Sequence, residues 1–296
     1  MNYQRELKNN CKPSKPLKTL TTFKIGGKAR YFAEPAGLKD LRLLLTLARQ
    51  LKIRILILGA GSNLLIDERG VNALVIRLGS PYFKKMVFKG NTAEAGAGVA
   101  LAELISAAGS KGLGGDEFLA GIPGTIGGAV VMNAGQAQGG LSIGDLIDRL
   151  RVMDYNGNVK IIPARGIKFG YRSSGLDKYI ILGAFLKFKK ARKDKIRRVI
   201  KECLKRRRQS QDLVWPSAGC AFRNPLGDSA GRLIDSAGLK GRRIGGAEVS
   251  RKHANFIINR RCATSRDVLK LIRLVQERVK KRFQVELVPE LKIWKP

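Results

Sequence analysis

Histidine is almost missing from this chain: His253 is the only one in 296 residues. The four cysteines, Cys11, Cys203, Cys220 and Cys262, stand far apart and form no Cys-x-x-Cys pair. Both scarcities argue against a tetrahedral zinc site, and the spacing suits a reducing compartment. No apolar run approaches the ~18–20 residues that span a bilayer; Leu43–Leu47 stops between Arg42 and Arg49. The first twenty residues are basic, carry Pro13 and Pro16, and lack the apolar core of a signal peptide. A cytoplasmic protein without a membrane span is the expectation. Aromatic residues make up 6%, with no Lys/aromatic stripe on which bases could stack. Acidic residues are scarce too: 23 Asp and Glu face 57 Lys and Arg, a net charge of +34. That balance favours anionic partners such as nucleotides, nucleic acid or an acidic membrane surface, or it reflects solvated basic faces only.

What is present is an ordinary soluble composition, 44% apolar and 27% charged, on a chain long enough for two or three compact domains with real cores. Leu38–Leu51 has the apolar spacing of a helix. Ile53–Leu58 reads as a buried strand and Ala73–Leu78 as another. Met86–Phe88 and Ala93–Ala95 flank a hairpin turn. Val99–Ala108 reads as a helix, and the Asn156-Gly157 step joins two strands in a second hairpin. Tyr179–Phe188 closes this region. Twelve basic residues then fall within Lys189–Arg208, against Asp194 and Glu202 alone. Its apolar spacing predicts an amphipathic helix, with either a wet charged face or a funnel for a polyphosphate or nucleic acid. Thr264, with Asp267 three residues on, predicts the cap of a last long helix, followed by a strand at Val285–Val288. Alternating but irregular elements predict an α+β fold.

Three segments carry chemistry. Ser217–Pro225 (Ser-Ala-Gly-Cys-Ala-Phe-Arg-Asn-Pro) reads as a loop with an acid/base or nucleophilic thiol, Cys220. Gly59–Leu65 follows a strand, so its amides can form a nest for a diphosphate, or simply a tight turn. It lacks the third glycine of a Rossmann fingerprint. Gly121–Gly128 (Gly-Ile-Pro-Gly-Thr-Ile-Gly-Gly) spends four glycines and a proline in eight residues, which suits contact with a flat or phosphorylated cofactor or a set of turns. Arg172, within Phe169-Gly170-Tyr171-Arg172-Ser173-Ser174, can clamp a carboxylate or sit as a surface arginine. His253 is either a structural histidine or a base, and Glu290 either a functional carboxyl or an exposed one.

In this order the segments resemble the UDP-N-acetylenolpyruvoylglucosamine reductase (MurB) family from about Thr19 to Ile293. The resemblance rests on Thr22–Gly27, Gly59–Leu65, Gly121–Gly135, Gly170–Ser174, Ser217–Pro225, Gly245–Ser250 with His253-Ala254-Asn255-Phe256, and Pro289-Glu290. It implies an FAD-binding fold of the PCMH or vanillyl-alcohol-oxidase type followed by an α+β substrate-binding domain. The expected limits are 1–190 for the FAD-binding region, in subdomains of about 1–80 and 81–190, and 191–296 for the substrate domain. The resemblance also implies NADPH-dependent reduction of UDP-N-acetylglucosamine enolpyruvate to UDP-N-acetylmuramate, in peptidoglycan precursor synthesis, with noncovalent FAD. The family's catalytic residues fall on Arg172, Cys220 and Glu290, where Cys220 replaces the commoner serine. Cofactor contacts fall on Gly59, Ala60, Gly61, Ser62, Asn63 and Leu64, and on Gly121, Ile122, Pro123, Gly124, Thr125, Ile126, Gly127 and Gly128. Substrate contacts fall on Tyr171, Asn224 and Arg208. The short stretch after Arg172 looks like the family type without the tyrosine-bearing insertion. A monomer with a small UDP-sugar as partner, and neither metal nor nucleic acid, is expected. The other readings are a different FAD oxidase of the same fold and a basic nucleic-acid-binding protein.

Overall fold

A computed structural model describes residues 2–136 and 140–296. The chain divides into two compact units that interleave in sequence. The first comprises 1–13, 31–60 and 73–206, and the second 14–30, 61–72 and 207–296.

The first unit is built on a five-stranded antiparallel sheet. Its order is Val159–Pro163, Ile147–Asp154, Tyr179–Lys187, Thr92–Gly96, Met86–Lys89. Both hairpins predicted from turn residues are there. At the Asn-Gly turn the Asp154 carboxylate accepts the amides of Asn156 and Asn158, each at 2.9 Å. The helix Leu38–Gln50 buries Leu41, Leu44, Leu45, Leu47 and Ala48, the stripe that its sequence spacing requires. It joins one core with Val152, Leu150, Ala184 and Leu186 of the sheet.

The strand Arg54–Leu58 pairs in parallel with Ala73–Arg77 and forms the edge of its sheet. It was expected to be buried, but only Leu58 is; Ile55, Leu56 and Ile57 stay partly open. An edge position leaves one flank uncovered, so an apolar run of this kind does not by itself report burial.

The second unit holds a four-stranded sheet, ordered Ser217–Cys220, Phe256–Asn259, Ala247–Val249, Arg243–Ile244. The helix Ser265–Phe283 packs with it and buries Val268, Leu271, Ile272, Val275 and Val279. Thr264 caps this helix as predicted: the Asp267 amide donates to Thr264 Oγ1 at 3.1 Å, and the Thr264 amide donates back to Asp267 Oδ2 at 3.0 Å. Two expectations need correcting here. Val285–Val288 is not a strand; Gln284 ends the helix in the left-handed conformation, and the terminal strand is Lys292–Trp294, parallel to Leu64–Ile66. Cys220 stands at the end of a short strand rather than on a loop.

The basic helix spans Lys193–Ser210. Ile196 is its one fully buried side chain, while Val199, Ile200, Cys203 and Leu204 are half-covered. Its charged residues line the outer face, as the amphipathic reading requires. Among the described residues no helix is long and apolar enough to cross a membrane.

Candidate active site

In the first unit the two glycine segments meet. A Cβ on Gly59 would lie 3.0 Å from Thr125 Oγ1 and 3.9 Å from the Gly128 amide. Thr125 caps the short helix Ile126–Val131. The amides of Ile126 and Gly127 donate at 2.9 Å to the carbonyls of Val99 and Ala97. Those two amides therefore anchor the segment. Gly127 is needed for closeness, since a Cβ there would sit 3.1 Å from that of Ala97. The earlier half of the run is the accessible one: Gly121, at φ +80°, and Pro123 are exposed. Gly59 and Ala60 follow directly on the strand Arg54–Leu58, whose Ile55, Leu56 and Ile57 are half-open. An uncovered apolar strand running into a glycine turn fits a ligand with one flat apolar part and one phosphorylated part.

Arg172 crowns a tight turn in the same unit. The amides of Gly170 and Ser173 each donate to the other's carbonyl, at 2.9 and 3.2 Å, and Arg172 takes the left-handed conformation at φ +54°. Its guanidinium donates to the Gly135 carbonyl at 3.1 Å and lies 5.1 Å from the Tyr171 ring. The turn is tied to the end of the glycine segment by Asn133. This side chain is 7% exposed; its Nδ2 donates to the Gly170 carbonyl at 3.0 Å, and its Oδ1 accepts the Gly144 amide at 3.1 Å. Ser174 adds a bond to the Val131 carbonyl at 3.1 Å.

In the second unit the structure brings Cys220 and Glu290 together. The strand carrying Cys220 continues through Phe222, which bridges Pro289. The Glu290 amide donates to the Ala221 carbonyl at 2.8 Å, and the Arg223 amide to that of Val288 at 2.9 Å. Glu290 thus sits one peptide away from the thiol-bearing residue. The far edge of this strand is held by Asn255, 3% exposed. Its Oδ1 accepts the Phe222 amide at 2.9 Å, its Nδ2 donates to the Phe222 carbonyl at 2.8 Å, and its own carbonyl accepts the Ala221 amide at 2.7 Å.

The second half of the glycine loop reaches the same place. Asn63 Nδ2 donates to the Glu290 carbonyl at 3.2 Å, and the Lys292 amide donates to the Asn63 carbonyl at 3.0 Å. Gly61, at φ +66°, is required by packing: a Cβ would lie 2.2 Å from the Leu20 carbonyl oxygen. The polar entry segment supports the Cys220 strand as well, through Thr22 Oγ1 donating to the Ser217 carbonyl at 2.7 Å. Ser62 and Leu64, beside Asn63, are half-exposed.

Asn224 follows in sequence, and its Oδ1 accepts the Ala230 amide at 3.0 Å. Arg208 is exposed in the last turn of the basic helix, and its carbonyl accepts from Lys252. His253 packs its ring 4.6 Å from that of Phe256, and burial lowers its pKa. That favours the structural reading, since a buried imidazole is held neutral. Asn133 and Asn255 went unremarked as site residues. Each stands in a segment singled out for its neighbours, and an asparagine at a positive φ, as at Asn133, is the one sequence-compatible hint.

Comparison with known proteins agrees with this architecture. Residues 29–162 match the family model for an FAD binding domain, and residues 209–294 match that for the UDP-N-acetylenolpyruvoylglucosamine reductase C-terminal domain. The chain is 43% identical over 282 residues to the UDP-N-acetylenolpyruvoylglucosamine reductase of Caldanaerobacter subterraneus subsp. tengcongensis, covering 95% of this chain and 92% of that one. It is 43% identical over 292 residues to the reductase of Moorella thermoacetica, covering 98% and 95%. The crystal structure of MurB from Thermus caldophilus superposes with a TM-score of 0.81 at 38% identity, over 94% of this chain and 97% of that one. With an FAD-binding α+β region, a matching C-terminal domain and near full-length identity to these reductases, the chain belongs to the UDP-N-acetylenolpyruvoylglucosamine reductase family.

Proposed function

We propose that Arg172, Cys220 and Glu290 divide the work of reducing UDP-N-acetylglucosamine enolpyruvate to UDP-N-acetylmuramate, the NADPH-dependent reaction of this family in peptidoglycan precursor synthesis. The observation that supports the reading is the backbone bond from the Glu290 amide to the Ala221 carbonyl, at 2.8 Å, which holds the segment carrying Glu290 against the strand carrying Cys220. The FAD-binding match and the half-open strand ending in Gly59–Ala60 support FAD as the cofactor. Gly59 to Leu64 and Gly121 to Gly128 would hold it. Bound there, FAD would supply the hydride-transfer chemistry, with NADPH as the reductant.

The protein's part is electrostatic and protonic. Hydride addition beside a carboxylate builds negative charge on that carboxylate, and charge that grows in a water-poor site must be met by fixed donors. Arg172 is a permanent cation and can hold the carboxylate with two parallel N–H bonds. Glu290, in its protonated form, can donate to the same oxygens. The Cys220 thiol gives its proton to the remaining alkene carbon and recovers one from solvent. Tyr171, Asn224 and Arg208 contact the UDP-sugar. Residues 1–190 carry the cofactor and 191–296 the substrate domain, in a monomeric cytoplasmic enzyme.

The test separates the two half-reactions by stopped flow. Cys220→Ala should keep flavin bleaching by NADPH and lose product formation, while Cys220→Ser stays active. Normal turnover by Cys220→Ala removes Cys220 from the mechanism. A preparation that takes up no flavin overturns the assignment as a whole.

A further inference from the structure

The chemistry above absorbs the glycine loops and the Cys220 strand but leaves one motif unused. Directly after the basic helix, Leu213 and Val214 are 58% and 83% exposed, although nothing in the reaction needs apolar side chains in water. They lead a segment that runs along the outer strands of the second unit. The Asn259 amide donates to the Pro216 carbonyl at 2.8 Å, and Arg260 stacks 4.0 Å from the Trp215 ring. Ser250 Oγ donates to Asp212 at 2.8 Å.

The ground around this tip is cationic. Arg243, Arg251 and Arg260 all converge on one buried carboxylate, Glu248, at 2.5, 3.6 and 3.8 Å. Lys252 lies beside them. Three cations thus share one carboxylate, Glu248, while Lys252 donates to the Arg208 carbonyl and Asp212 accepts from Ser250. Such a surplus attracts polyanions, and the whole chain carries +34.

We propose that Leu213 and Val214, with this arginine cluster, form a docking surface for an anionic phospholipid bilayer. Two signals are present together, and each is weak alone: a small apolar wedge for the interface and basic side chains for the headgroups. The apolar tip favours lipid over nucleic acid. Leucine and valine offer no face for base stacking, and the neighbouring Trp215 ring is already covered by Arg260. Docking of this kind is peripheral and reversible, and it needs no spanning helix.

The test is sedimentation of the purified full-length flavoprotein with vesicles of phosphatidylcholine alone or mixed with phosphatidylglycerol. Binding should require phosphatidylglycerol. It should collapse between about 0.1 M and about 1 M salt, as the screening length falls from about 10 to about 3 Å. The double variant Leu213→Ser, Val214→Ser should bind at least about tenfold more weakly, the loss expected when two side chains no longer leave water. Arg251→Glu should weaken binding by more than about fivefold. The double variant should still turn over soluble substrate at the parent rate. Equal binding to both vesicle types, no binding to either, or an unaffected double variant would overturn the proposal. So would a concentration-dependent dimer, or an RNA complex, that the double variant abolishes.

Discussion

Asp116 is the clearest lever on this protein's stability. It is fully buried, between the strand Leu113–Gly114 and the glycine segment that starts at Gly121. Neither of its carboxylate oxygens has a hydrogen-bond partner among the described residues. Burial, reinforced by the neighbouring Glu117 charge, pushes its pKa from 3.8 up to about 7. The sign follows from proton binding. The unfolded chain releases this proton near pH 4, while the folded chain keeps it until about pH 7. Stability is therefore fully present below about pH 4, falls as pH rises, and levels off above the folded pKa. With these two pKa values, about 1.7 kcal/mol is lost by pH 5 and about 4 kcal/mol by pH 8. Asp116→Leu keeps the approximate shape and removes the titration. Its stability advantage over the parent should widen by about 2.5 kcal/mol between pH 5 and pH 8. Urea unfolding of both proteins at several pH values reads this directly. Taking the difference cancels every other titrating group that the substitution leaves alone. A gap that does not change with pH would refute the reasoning, because it would mean the carboxyl ionises as freely in the folded chain as in water.

Three further outcomes follow from the site. Asn255→Ala strands the buried amide and carbonyl of Phe222, at about 1–3 kcal/mol for each group. It should slow product formation while NADPH still bleaches the flavin, and Asn255→Asp, which keeps the acceptor, should recover part of the rate; equal damage to both half-reactions would make Asn255 merely structural. Gly61→Ala forces a side chain into the left-handed region and against the Leu20 carbonyl, so thermal unfolding should fall by at least about 1–3 kcal/mol equivalent and flavin content with it. Unchanged unfolding and flavin content would show that the loop relaxes around the new side chain. FAD should remain in the supernatant after acid precipitation, because the one histidine is half-buried against Phe256; flavin in the pellet would show a covalent link.

Much of the architecture was legible because local physics and tertiary packing agree. The Thr264 cap, the Asp154–Asn158 turn and the Leu41–Ala48 stripe are each decided within a few residues, and all three form as read. Cys220 and Glu290 could be named from a family pattern, but their pairing could not. It is made by backbone bonds between a strand and a segment far away in sequence, and main-chain amides carry no sequence signature. The same blindness hid Asn255. A buried asparagine in a turn looks like a liability until its side-chain amide is seen to satisfy both the amide and the carbonyl of Phe222.

Two departures from the sequence reading, at Ile53–Leu58 and Val285–Val288, share a cause that bears on function. Both carry apolar side chains and read as strands in the sequence, and each leaves some of those side chains uncovered. Arg54–Leu58 lies at a sheet edge beside Gly59. The Val285–Val288 stretch is spent on reaching Glu290, with the Leu287 carbonyl held at 2.8 Å by Gln276 and the Val288 carbonyl by Arg223; Val288 itself is left 54% exposed. Hydrophobic side chains left uncovered next to a glycine loop and next to Glu290 fit surfaces kept for ligands. Where pattern predicts burial and the fold withholds it, the site has the stronger claim on the residues.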